Sequence, residues 1–142
     1  FAAKTNPYIV NSMNQGTIGI SAYIKNNFNS NVTIAIENAG IKYFIDNRTV
    51  DVVGLTSQEL NKDENLYRKG DMSFIFNYLS KNNIEYIQFF PAWLEKKYGY
   101  VPDFLETVYE FKINNPIFNY EKWALYKFNK GAYYAYLSNN HD

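Results

Sequence analysis

Between Asn31 and Leu55 the chain places three short β-type runs close together, separated only by polar breaks. Val32-Thr33-Ile34-Ala35-Ile36 comes first, followed by Glu37-Asn38-Ala39-Gly40. A second run covers Ile41 to Ile45, and a third reaches Asp51-Val52-Val53 before Gly54-Leu55. β-Branched and aromatic residues at this density suit a pleated, buried surface. Gly40 and Asp46-Asn47 supply turn chemistry between the runs. These short strands constrain the fold more than any other part of the chain.

Helical spacing flanks them. Ile20, Tyr23, Ile24 and Phe28 recur on one face, which predicts a helix from about Thr17 to Phe28. Residues 1–15, polar and Asn-rich, read as a linker. Met72, Ile75, Phe76 and Leu79 predict a second helix, with Asp71 or Ser73 as N-cap candidates. Leu55–Arg68 reads as a polar surface loop, and Ile84–Phe90 as a strand ended by Pro91. The order helix–turn–strand occurs twice, so Ile84–Phe90 is expected to run parallel to Val32–Ile36. Lys42–Ile45 and Thr49–Val53, split by Asp46-Asn47-Arg48, form either a hairpin or strands with different neighbours. A short helix over Ala92–Tyr98 is capped by Gly99. Phe104–Ile113 and Lys122–Phe128 alternate at period two and predict an antiparallel pair across the Asn114-Asn115-Pro116 break. Residues 131–142 read as a tail or a final strand. The expected architecture is α/β: a central mixed, largely parallel sheet flanked by helices, with an antiparallel strand pair near the C-terminus. Residues 16–130 then make one domain.

Composition narrows the chemistry. Lys+Arg and Asp+Glu both number 14, so no basic footprint exists to displace counterions from a nucleic acid. Cysteine is absent and the one histidine is His141, which removes thiol nucleophiles, thiolate metal sites and histidine triads. No cofactor or metal is implied. No apolar run reaches the ~20 residues that span a bilayer, and no signal-peptide pattern is present. The abrupt Phe1-Ala2-Ala3 start reads as a cut from a longer chain. Aromatic residues reach 19%, concentrated after Phe89. They suit either core packing or a surface that meets sugar rings or a membrane interface.

Carboxylates are therefore the acid/base candidates: Glu37, Asp46, Asp51, Asp103, Glu106 and Glu110. Glu37 directly follows a buried strand, where α/β folds often hold ligands. Asp51 interrupts a β-branched run, so it either orders the loop at Gly54-Leu55 through backbone amides or meets a ligand. Gly16-Thr17-Ile18-Gly19 lacks the phosphate-loop pattern and does not follow a strand. Asn31-Val32-Thr33 and Asn47-Arg48-Thr49 match the N-glycosylation acceptor pattern, but in so Asn-rich a chain chance matches are expected.

The order of pieces resembles the soluble C-terminal domain of polytopic membrane glycosyltransferases of the GT-C type, which use polyprenyl-phosphate sugars. That domain has a helix ending in "-yi-", a strand, an acidic residue with Ala-Gly, an aromatic patch, then "viDl-GL". The matching residues are Gln15, Ile18-Gly19 and Ala22-Tyr23-Ile24, the strand to Ile36, Glu37-Asn38-Ala39-Gly40-Ile41-Lys42-Tyr43-Phe44, and Val50-Asp51-Val52-Val53-Gly54-Leu55. The later helix and the strand Ile84–Phe90, in Asn82-Asn83-Ile84-Glu85-Tyr86-Ile87-Gln88-Phe89-Phe90, are similar to a further element of that family, and Glu37 stands where Asp is more usual.

The resemblance implies an extracytoplasmic domain of an integral membrane protein, with catalytic acids elsewhere in the parent. None of the carboxylates here carries over as a catalytic base. The partner would be the transmembrane region of the same polypeptide, with a glycan or lipid-linked sugar as ligand. Glu37, Asn38, Gly40, Asp51 and Gly54 then become binding or motif residues, and Trp93, Tyr98 and Tyr100 candidate sugar or interface contacts. The other reading is a free-standing extracytoplasmic module that binds carbohydrate or protein.

Overall fold

A computed structural model describes residues 7–55, 72–113 and 122–140, with 7–13 described as backbone only. The elements are α1 (Pro7–Asn27), β1 (Ile34–Ile36), a 3-10 helix η1 (Ala39–Tyr43), β2 (Thr49–Asp51), α2 (Ser73–Lys81), β3 (Tyr86–Phe89), α3 (Pro91–Tyr98), β4 (Leu105–Lys112), β5 (Lys122–Phe128) and α4 (Lys130–Asn139). Residues 52–55 add a helical stretch directly after β2. The strands form one sheet in the order β2-β1-β3-β5-β4. β1 lies parallel to both β2 and β3, while β5 runs antiparallel to β3 and to β4. The fold is thus α/β: a mixed sheet flanked by helices, its antiparallel pair near the C-terminus.

Side-chain alternation sends successive strand residues to opposite faces of the sheet. On one face Ile20 and Ile24 of α1 pack with Ile34, Ile36, Ile41, Phe90, Trp123 and Leu125. On the other, Ile75, Phe76 and Leu79 of α2, Leu94 of α3 and Tyr133 of α4 pack with Ala35, Ile87, Phe89, Tyr126 and Phe128. The periodic residues that predicted the helices at Thr17 and Met72 are the ones that fill these layers. Both glycines of Gly16-Thr17-Ile18-Gly19 serve this packing. A Cβ on Gly16 would overlap the Trp123 ring, and one on Gly19 would lie 2.5 Å from the Phe111 ring. Their lack of side chains lets α1 approach the sheet.

Several boundaries differ from the sequence reading. α1 begins at Pro7, so residues 7–15 are helical where a linker was expected. Weakly helix-forming Asn residues cost little when each added turn extends a helix already nucleated by packing. Lys42–Ile45 is not a strand. The Asn38 side chain accepts the Gly40 N–H at 3.0 Å and opens η1, which takes up Lys42 and Tyr43. β1 and β2 are therefore joined by a crossover and not a hairpin. Residues 130–139 form α4 rather than a strand or tail, because Asn129 caps the helix by accepting the Ala132 N–H at 2.9 Å. Tyr133 and Tyr136, three apart, then bring their rings within 5.3 Å of Phe104. Met72 occupies the position before α2 with no side-chain cap, and Ser73 is its first residue. Asp71, the Leu55–Arg68 segment past residue 55, the 114–116 break and His141 lie outside the described residues.

Candidate functional site at the carboxyl ends of the parallel strands

β1 is the middle of three parallel strands. Its exit chain packs through Ile41 against α1, whereas the chain leaving β2 returns through α2 on the opposite face. Connections that depart to opposite faces are the arrangement that, in open α/β sheets, makes the carboxyl ends of the strands the usual ligand position. Glu37 and Asn38 follow β1, Asp51 closes β2, and Pro91 begins α3 two residues after β3.

Gln88 ties this end together. It lies in register with Ile36, is fully buried, and its Oε1 accepts the Glu37 N–H at 3.0 Å and the Asn38 N–H at 2.9 Å. Asn38 Oδ1 in turn accepts the Thr17 hydroxyl at 3.1 Å, which links η1 to α1. Gly40 fits closely here, since a Cβ would sit 2.9 Å from Asn38 Oδ1 and displace that cap. Among the described residues Gln88 Nε2 has no hydrogen-bond partner, and neither do buried Ser21 Oγ and Trp123 Nε1 in the layer beneath α1.

The two carboxylates behave differently. Asp51 is exposed, and its Oδ1 accepts the Val53 N–H at 2.9 Å and the Gly54 N–H at 3.3 Å. It caps the helical stretch after β2, so of its two sequence roles the loop-ordering one is visible. Gly54 itself is in open surroundings, with Asp51 atoms 3.7 Å from a built Cβ. Glu37 is half-buried, and its carboxyl is pushed up to about 7, chiefly by burial and further by the Asp51 charge. Near neutrality it can both donate and accept a hydrogen bond. A carboxyl that does both, beside a carboxylate acceptor and the Asn38 amide, matches the mixed hydrogen-bonding character of hydroxyl groups. Among the described residues no three His, Asp or Glu side chains gather as a metal site.

Trp93, in the first turn of α3, packs edge-on against Phe89 with centroids 5.6 Å apart and keeps 36% of its surface exposed. It belongs to the same end of the sheet. Tyr98 does not: it packs edge-on to Phe104 at 6.4 Å and to Tyr136 at 6.1 Å. Tyr100 is exposed beyond Gly99, past the far end of α3. Thr17 and Gln88 escaped the sequence reading as site residues. Gln88 did leave a signal there, as a polar residue inside an apolar strand.

Residues 8–136 match the family described as a domain of unknown function, DUF8728. The chain belongs to this family. The match takes in every element from the start of α1 into α4, so the DUF8728 unit contains the whole sheet and the carboxyl-end site. No curated protein and no solved structure matches the chain.

Proposed function

We propose that this DUF8728 chain is a non-catalytic, extracytoplasmic accessory domain of a GT-C-type membrane glycosyltransferase that uses polyprenyl-phosphate sugars. Its carboxyl-end surface recognises a glycan for the membrane part. One observation supports this most: the two segments that carry the resemblance, 37–44 and 50–55, adjoin at that surface. There the Glu37 carboxyl and the Asp51 charge interact. Trp93 adds a partly exposed indole at the same end, and aromatic rings pack well on sugar rings. Two acidic groups disfavour a phosphate, so the neutral saccharide is the better ligand and the donor's lipid phosphate the poorer one.

Among the described residues no helix is long and apolar enough to cross a membrane, so the proposed anchor belongs to other segments of the parent. The test is the hydropathy of the full encoded polypeptide. Multiple hydrophobic spans preceding this domain support the proposal. A secretory signal in their place, with saccharide binding by the isolated chain, establishes the free-standing module instead.

A further inference from the structure

Two Asn-X-Thr sequons are present, and the fold treats them differently. Asn47 Nδ2 donates to Asn29 O at 2.9 Å and to Val32 O at 2.8 Å. A carboxamide nitrogen carries two hydrogens, so both are committed to holding the turn between α1 and β1. Asn47 is therefore a clamp, and freeing its nitrogen would undo that turn. Asn31 lies in the turn itself and is exposed. Its backbone N–H bonds Asn29 Oδ1 at 3.1 Å, while its side-chain amide has no partner among the described residues. Thr33 lies just before β1, half-buried and outside the sheet ladder. Asn31 and Thr33 both line an open groove at the amino ends of the parallel strands, together with Arg48, Tyr78 and Asn82.

We propose that Asn31 is an N-linked glycan acceptor, an inference that rests on the extracytoplasmic placement above. An oligosaccharyltransferase would supply a lipid-pyrophosphate-linked saccharide. Asn31 Nδ2 attacks C1 of its first sugar. The N–C1 bond forms as the C1–O bond breaks, the lipid pyrophosphate leaves with the electron pair, and one amide proton passes to a base of the transferase. Thr33 provides the hydroxyl that the sequon requires. A glycan here points away from Glu37, Asp51 and Trp93 and leaves that end free.

Residue-resolved mass spectrometry of the protein isolated from its native cells tests this. A glycan mass is expected on Asn31 and none on Asn47. Asn31→Gln and Thr33→Val should lose it, while Thr33→Ser, which keeps the hydroxyl, should retain it. A bare Asn31, or a glycan on Asn47 alone, overturns the assignment. Labelling Asp103→Cys with a membrane-impermeant maleimide, in an otherwise cysteine-free parent, separates the two readings. If the cysteine labels on intact cells and Asn31 is bare, only the glycan proposal falls. If it labels only after permeabilisation, the extracytoplasmic reading falls with it.

Discussion

At the scale of single residues, Glu37 carries the most chemical information. Its carboxyl is raised from 4.5 to about 7 by burial and by Asp51. The unfolded chain releases this proton first as pH rises, so the folded state loses stability through that window. Denaturant unfolding should therefore give a midpoint that falls between about pH 5 and pH 7, flattening above it. Glu37→Gln should remove that slope and raise stability on the alkaline side. Carbon-detected NMR of the Glu37 carboxyl should titrate near 7 and move down in Asp51→Asn, where one cause of the shift is gone. The same aspartate has a structural role, and Asp51→Ala should cost about 1 kcal/mol of unfolding free energy through the lost cap. Glu37 was legible in the sequence because it directly follows a buried strand, and Asp51 because it interrupts a β-branched run. Thr17 was not, because its hydrogen bond to Asn38 spans 21 residues and local periodicity carries no trace of it.

At the scale of elements, α1 and α4 show what local pattern does and does not reveal. The buried stripe Ile20–Ile24 announced α1, but the Asn-rich sequence of its first turns reads as a linker. α4 was hidden because Tyr-rich sequence favours strands by propensity. What decides it is a cap and a pair of rings three residues apart, packed on Phe104. Asn129→Ala should thus destabilise the protein by about 1 kcal/mol, measured by thermal or denaturant unfolding. α1 offers a sharper contrast. In an exposed helix Gly→Ala would stabilise by about 1 kcal/mol. At Gly16 the added methyl meets the buried Trp123 ring, and overpacking costs about 1–3 kcal/mol. Gly16→Ala should therefore be net destabilising, with altered Trp123 fluorescence. The Gly99 cap needed no such context: its φ of +82° is the conformation a helix-ending glycine adopts.

At the scale of the whole molecule, strand order governs where chemistry can sit. The parallel triad β2-β1-β3 was partly legible, since two helix–strand repeats implied that β1 and β3 run parallel, as they do. The convergence of Glu37, Asp51 and Trp93 on one end follows from that topology, whereas Tyr98 and Tyr100 are carried elsewhere by the direction of α3. The antiparallel half, β4 with β5, extends the sheet under α1 and anchors it through Trp123 and Phe111. On this account the sheet holds a recognition surface and the reacting groups belong to the membrane-embedded part. Steady-state kinetics of the full-length transferase carrying Glu37→Gln and Asp51→Asn test that most directly. A several-fold rise in acceptor KM with kcat preserved is the predicted result. A collapse of kcat at unchanged KM, or turnover by the isolated chain, would contradict it.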